Sequence, residues 1–178
     1  MDKYKILTYG NPLLRQIAEE VSEYNSEIRD IVNKLHEMLA SDHKGIGLAA
    51  TQVGIMKRIF VVNLFRSENP QKFTLINPRI IYRSRDIVGI EEGCLSVPDV
   101  WGNVDRPEKV KVKAYLPSGA GILIEADGSL ARVIQHELDH LDGKLFIDYL
   151  SKEDLENNEE LINEILEKNK MNLDKVVL

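Results

Sequence analysis

The sequence predicts an α+β fold: mixed, largely antiparallel strands packed around one central helix, with a further helix at the C-terminus. Three observations carry this prediction. Strand-like segments gather between residues 58 and 125, a helix bearing two histidines follows them over 128–141, and a second amphipathic run begins after Ser151. Strands and helices that segregate in this way argue against alternating βαβ units.

Taken in order, residues 6–9 make a short strand stopped by the turn-forming Gly10-Asn11-Pro12. Ile28, Ile31, Val32, Leu35, Met38 and Leu39 recur at helical spacing, so 26–40 is an amphipathic helix capped by Asn25 or Ser22. His36 lies within it and His43 in the loop beyond, and both are most simply solvated. Residues 45–52, Gly-Ile-Gly-Leu-Ala-Ala-Thr-Gln, are small and punctuated by glycine, which lets the backbone approach another chain or a ligand. A phosphate loop would need a third glycine and a Lys-Ser/Thr pair that are missing here.

Strands follow at 58–64, at 73–82 (broken by Asn77-Pro78) and at 87–90, with a loop around Pro70. Residues 109–115 alternate and pair with 122–125 across Pro117-Ser118-Gly119, a hairpin signal. The central helix starts behind Asp127 as N-cap, and Gly143 occupies the left-handed position past its end. At about 100° per residue, Leu130, Ala131, Ile134, Leu138 and Leu141 form one apolar arc. Val133, His136, Glu137 and His140 take the adjoining arc, leaving Arg132, Gln135, Asp139 and Asp142 as a narrow polar strip. Both histidines therefore project from a mostly buried helix. Beyond Ser151, a further cap, Leu155, Leu161, Ile162, Ile165 and Leu166 define one helix over 152–168. Residues 151–178 hold four Lys and eight Asp or Glu, hence −4 of the total charge. The organisation read from this is a single catalytic domain over 1–150 with 151–178 as a helical extension packed on it.

With 178 residues, 43% of them hydrophobic and 29% charged, the chain suits one globular domain with a core of its own. A net charge of −6 argues against DNA or an anionic membrane as a partner, and no window has the apolar length of a membrane span. The start of the chain carries neither a secretory apolar region nor an Arg-rich transit peptide. One cysteine, Cys94, precludes an internal disulfide and fits a reducing cytoplasm.

The chemistry centres on Gln135-His136-Glu137-Leu138-Asp139-His140. Histidines four apart on a helix offer ring nitrogens to one point, and Glu137 beside that point can take a proton from a water activated there. A hydrolytic metal site needs a third protein ligand and one open position. The third histidine of an extended metalloprotease motif is excluded, because Phe146 stands where it belongs. A glutamate from the last helix, Glu160 or Glu164, would complete a thermolysin-like set. Cys94, within Glu92-Gly93-Cys94-Leu95-Ser96, would complete a Cys/His/His set as thiolate. A lone cysteine is also compatible with a small buried hydrophobe or with a nucleophile.

Three stretches together, residues 45–52, Glu92-Gly93-Cys94-Leu95-Ser96 and Gln135-His136-Glu137-Leu138-Asp139-His140, resemble the three signature motifs of peptide deformylase, in the family's order and at similar spacing. The resemblance runs from Ile6 to Asp148, about 140 of the 178 residues. It implies removal of the N-terminal formyl group from formyl-methionyl nascent peptides, with release of formate. By it, Cys94, His136 and His140 hold one divalent metal, Fe²⁺ in the cell, with Zn²⁺, Ni²⁺ or Co²⁺ in purified protein. Glu137 serves as general base and then acid, while the Gln52 side-chain amide and the Leu95 backbone N–H steady the oxyanion. Gly45 and Gly47 let the substrate lie along this segment as an added strand, and Glu92 and Gly93 are counted among the substrate-binding residues. Ile46, Ile90 and Val133 map onto the methionine pocket, with Ser129 nearby, and Glu92 with Arg106 matches a structural salt bridge.

Two positions depart from the pattern. Trp101 stands where many members carry Arg, so preferences beyond methionine differ. The terminal helix is acidic, whereas members thought to dock transiently on the ribosome through it are basic. A non-catalytic binding module would be expected to have lost Glu137 or Gln52, and both are present.

Overall fold

A computed structural model describes residues 4–42, 45–64 and 71–174 of the chain. His43 and the loop around Pro70 lie outside the described residues. Among the described residues seven strands precede the central helix: β1 (Gly47–Ala49), β2 (Ile59–Asn63), β3 (Lys72–Arg83), β4 (Ile87–Cys94), β5 (Val97–Pro107), β6 (Lys109–Tyr115) and β7 (Gly121–Asp127). Five of them form an antiparallel sheet in the order β1-β2-β3-β6-β7, and β4 and β5 form a separate hairpin sheet. Helix α1 (Ser26–Ser41) precedes the strands, α2 (Gly128–Leu141) follows them, and α3 (Lys152–Asn157) and α4 (Glu159–Asp174) close the described chain. The α+β architecture expected from the sequence is the one observed.

Strand β2 explains why the five-stranded sheet carries a helix on each face. Its residues 59–62 are all buried, so both sides of the pleat need cover. Phe60 and Val62 pack with Ala131, Val133, Ile134 and Leu141 of α2. Ile59 and Val61 pack with Val32, Leu35 and Leu39 of α1, which Asn25 caps by accepting from the Ile28 N–H at 3.2 Å. Each such aliphatic side chain taken from water stabilises the fold by about 1.5–3 kcal/mol. A third cluster joins Val97, Val100 and Val104 of β5 to Phe146, Leu150 and Ile165, so α2 lies between the two sheets with both helical ends anchored.

Several expectations need correction. Residues 6–9 form no strand: the Leu7 N–H donates to Gln52 O and the Tyr9 N–H to Ser96 O, two unrelated segments that cannot continue one ladder. Strand β5, unrecognised among Pro98, Gly102 and Pro107, exists because its valines at 97, 100 and 104 are buried against the C-terminal segment. Its pairing extends β4 four residues beyond the expected end at 90, to Cys94. Asn77-Pro78 does not end β3 but makes a register shift within it. Asn77 adopts φ 50°, which asparagine tolerates, and its side chain exchanges two 2.8 Å hydrogen bonds with the Val21 backbone. The terminal helix is split at Asn158, whose side-chain amide donates to Asp154 O and to Trp101 O.

One ion pair ties the N-terminal turn to the segment after α2. Arg15 donates to both oxygens of Asp148, at 2.6 and 2.8 Å, and the Leu145 N–H donates to the same carboxylate. Burial alone would raise the Asp148 pKa, but the Arg15 and Leu145 hydrogen bonds outweigh it and hold it below its ordinary 3.8. Its stabilising contribution is therefore complete above the unfolded value and lost as pH falls through the lower folded one. Asp148→Asn is expected to lower the unfolding midpoint at neutral pH and to narrow its gap from wild type below pH 3.8. A gap unchanged across that window in urea titrations would refute the assignment.

Candidate metal centre

Helix α2 holds its functional face between the sheets. Asp127 precedes it as N-cap without a side-chain capping bond, and Gly143, φ 70°, ends it where a Cβ would fall 2.6 Å from Arg15 O. At the last residue but one, His140 is 1% exposed, and the Thr51 hydroxyl donates to its carbonyl at 3.2 Å. That bond fastens α2 to the 3-10 turn Ala50–Val53, which carries Gln52.

Three donors converge there. The ligand atoms of Cys94, His136 and His140 all lie within 4.8 Å of one another, with Cys94 Sγ 3.2 Å from His140 Nε2. Among the described residues this is the one such cluster found. The rival ligands are elsewhere: Glu164 pairs with Lys168 on an exposed face of α4, and Glu160 is exposed. His36 hydrogen-bonds Thr74 across α1 and β3. Phe146, standing in place of a third histidine, stacks against the His136 ring with centroids 6.2 Å apart.

The His136 Nδ1–H donates to Glu92 Oε2 at 2.9 Å, which leaves Nε2 as the ring nitrogen that could hold a metal. Glu92 is itself held by Arg106, through Nε at 2.7 Å and Nη2 at 3.0 Å, and by Arg132 Nη1 at 3.0 Å. Burial would raise the Glu92 pKa, yet hydrogen bonds from His136 and Arg106 bring it down to about 2. Its carboxylate is thus fully engaged with protein and faces His136, not a substrate. Arg106 reaches further, to Asp139 Oδ2 at 2.7 Å, and its guanidinium lies over the Tyr149 ring, whose hydroxyl donates to Asp139 Oδ1. The helix's polar strip is therefore the seam against β4 and β5. Arg132, Asp139 and Tyr149 belong to this network although the sequence reading assigned them no role in the site. The only signal was Arg132 and Asp139 falling on that strip.

Burial holds His140 well below its ordinary pKa, keeping it neutral, the form a metal requires. It also raises Glu137 to about 7, partly opposed by the charge of His136. Glu137 is 3% exposed, and its Oε2 has no hydrogen-bond partner among the described residues. One cysteine sulfur, two imidazoles and a stranded carboxylate oxygen fit a single ion with an open position.

A cavity of about 660 Å³ opens over these groups. Gly45, Ile46, Gly47, Gly93, Cys94, Leu95, Val133, His136 and Glu137 line it. Gln52 borders it, accepting from the Ala49 N–H at 2.8 Å while its amide nitrogen faces Ser96 Oγ at 3.1 Å and Cys94 Sγ at 3.5 Å. The structure does not bring Ile90 to this wall: it is 44% exposed on β4, and Ser129 is exposed at the start of α2. No helix among the described residues is long and apolar enough to cross a membrane.

Comparison with known proteins gives this cavity a context. A sequence model described as polypeptide deformylase matches residues 3–156. The chain is similar to a peptide deformylase of Plasmodium falciparum solved with an inhibitor, at 37% identity over 92% of this chain and 99% of that one, with a TM-score of 0.84. A peptide deformylase of Ehrlichia chaffeensis gives 35% identity, 95% and 98% coverage and a TM-score of 0.83. One from Synechococcus elongatus, in complex with actinonin, gives 38%, 96%, 89% and 0.81. The Cys94, His136 and His140 cluster beside Glu137 thus sits in a chain that belongs to the polypeptide deformylase family.

Proposed function

We propose that this deformylase carries out its hydrolysis with Glu137 as the proton-transferring group, Gln52 and the Leu95 backbone as oxyanion donors, and Cys94, His136 and His140 as metal ligands. The observation that carries the reading is the three donors within 4.8 Å beside a buried carboxylate oxygen without a partner. The substrates are formylated nascent peptides. A divalent ion bound by the three ligands supplies a Lewis acid and a water acidic enough to attack at neutral pH.

Glu137 is placed to accept a proton from the water that attacks the formyl carbon and to return it to the amine as the carbon–nitrogen bond breaks, so that formate and a free N-terminus result. The Gln52 amide nitrogen, anchored through Oε1 on Ala49, is already turned toward Cys94, so its donation to the developing oxyanion needs little reorganisation. Gly47 admits the peptide backbone beside Glu137, and Ile46 and Val133 offer an apolar surface for methionine. Glu92 acts through His136 by fixing its ring, a role that replaces direct substrate contact.

In the cell the ion is Fe²⁺ on this reading. The donor set also accepts Zn²⁺, Ni²⁺ or Co²⁺. The setting is the cytoplasm, where the lone thiol stays reduced. Residues 1–150 act as the catalytic domain and 151–178 as its extension, with Asn169 reaching back to donate to Thr8 O and Tyr9 O. The extension's charge of −4 disfavours docking on ribosomal RNA through it.

The test is formate release from formyl-Met-Ala-Ser by protein purified without oxygen and assayed for metal. Wild type is expected to turn over, and Glu137→Ala to lose about 10²–10⁴-fold with its metal retained. A fully metallated wild type that releases no formate overturns the proposal.

A further inference from the structure

We propose that Asn169 of α4 is a positioning residue for the reaction: through residues 7–9 it holds the Gln52 side chain at the reacting centre. The inference rests on the reading of Gln52 as an oxyanion donor. Asn169 stands 160 residues along the chain from Tyr9 and is 8% exposed. Its side-chain nitrogen donates to Thr8 O at 2.6 Å and to Tyr9 O at 2.7 Å, with the Thr8 hydroxyl oxygen 3.0 Å away. Both amide hydrogens are thus spent on one short segment of backbone. A polar group buried this far is costly unless its bonds are made, so the segment and the helix hold each other.

The same segment donates into the site. The Leu7 N–H bonds Gln52 O at 2.7 Å, and the Tyr9 N–H bonds Ser96 O at 2.8 Å. Those acceptors belong to separate elements, the 3-10 turn Ala50–Val53 and the turn between β4 and β5. Their side chains meet in the interior, with Gln52 Nε2 3.1 Å from Ser96 Oγ. The Ser96 N–H in turn donates to Cys94 Sγ at 3.4 Å. At most about 7 Å of backbone separates the Leu7 and Tyr9 nitrogens, so the segment sets how far apart the two turns stand.

That spacing decides where the Gln52 amide ends. The Ala49 N–H fixes its Oε1, but the nitrogen end is aimed by Ser96 and Cys94 across the gap that the segment spans. Residues 7–9 belong to no helix or strand, so their position depends on the groups they bond and pack against. Helix α4 supplies several: Tyr9 packs against the cluster containing Ile165, and a Cβ on Gly10 would meet Leu166 Cδ2 at 3.0 Å.

The test is a double-variant cycle on formate release from formyl-Met-Ala-Ser by fully metallated protein. Asn169→Leu keeps the side chain's bulk and removes its donors. It is expected to lower kcat about tenfold with KM and metal content unchanged, since a displacement of about 1 Å at a reacting group can cost about a hundredfold. In the Gln52→Ala background, itself lower by about 10²–10³-fold, Asn169→Leu should cost nothing further. Asn169→Ser, which keeps one short donor, carries the same cycle where the leucine variant unfolds. Where Gln52→Ala lowers kcat, a wild-type kcat in the Asn169 variant overturns the proposal. Equal losses in the two backgrounds overturn it too, because Asn169 would then act on the fold alone.

A readout without turnover separates this positioning from the oxyanion assignment. In ¹⁵N spectra of the Zn²⁺-loaded protein, the Gln52 side-chain signals, identified by their loss in Gln52→Ala, should shift in the Asn169 variant. Unmoved signals overturn the positioning role. Shifted signals beside a wild-type kcat in Gln52→Ala would sustain the hold on Gln52 and overturn its reading as an oxyanion donor instead.

Discussion

Gly47→Ala is expected to lower kcat for formyl-Met-Ala-Ser by about a hundredfold or more while leaving the three metal ligands untouched. A Cβ built at Gly47 falls on Glu137 Oε1, 2.7 Å from its Cδ and 2.8 Å from Val133 Cγ2. The backbone at this position is held by the antiparallel pairing of Gly47 with Val62 of the buried strand β2. Val133, 2% exposed between α2 and the sheet, cannot give either. The carboxylate is the part that moves, and it is the part to which the proposed proton transfer is assigned. Gly45→Ala is the informative control. Its Cβ would meet only methyl ends, Leu39 Cδ1 at 2.9 Å and Leu95 Cδ1 at 3.1 Å, which can rotate away. It should cost less activity than Gly47→Ala. If the two variants are equally active, or Gly47→Ala keeps the wild-type kcat, Glu137 is not held where the proton transfer requires it.

The same glycine illustrates how far the sequence could be read. Glycines at 45 and 47 suggest close approach by something, and the spacing of His136, Glu137 and His140 places three functional groups on one helical face. Neither says that the two meet. That meeting is set by the antiparallel pairing of β1 with β2, between residues 11–15 apart in the chain, and by the seating of α2 on β2, between residues 69–81 apart. Local rules served where local physics decides: α1 with its Asn25 cap, the β6–β7 hairpin, and the Ser151 cap on α3 all stand as expected. They failed where tertiary contacts override propensity. Strand β5 reads as broken by Pro98, Gly102 and Pro107, yet its buried valines and its ladder with β4 hold it extended. Residues 6–9 read as a strand, yet their donors go to two separate acceptors. The polar strip on α2 is the same lesson at the site. Gln135 is 5% exposed and bonded to Pro107 O and Ala131 O, so polar residues on that face mark a polar interface between elements.

That interface carries the largest expected stability effect. Arg106→Leu should destabilise the protein by about 3–5 kcal/mol in urea unfolding, because it removes a buried charge and strands its partners. Arg106 is 6% exposed and Glu92 likewise 6%, so neither can turn to water. The loss reaches the metal ligands. Without Arg106 each Glu92 oxygen keeps a single partner, Oε1 the Arg132 guanidinium and Oε2 the His136 Nδ1–H, and Asp139 Oδ2 loses its Arg106 bond. A carboxylate with half its hydrogen bonds gone orients the His136 ring less firmly, and metal affinity measured by chelator competition should fall about 10–100-fold. Arg106→Lys should rescue little, since an ammonium cannot reproduce the paired Nε and Nη2 donation together with the Nη1 bond to Asp139. Adding Glu92→Gln to Arg106→Leu should recover part of the stability by removing the stranded charge, and recover none of the metal affinity. This divergence separates a purely structural ion pair from one that also positions a ligand. Stability and metal affinity recovering together in the double variant would mean that Glu92 does not act through His136.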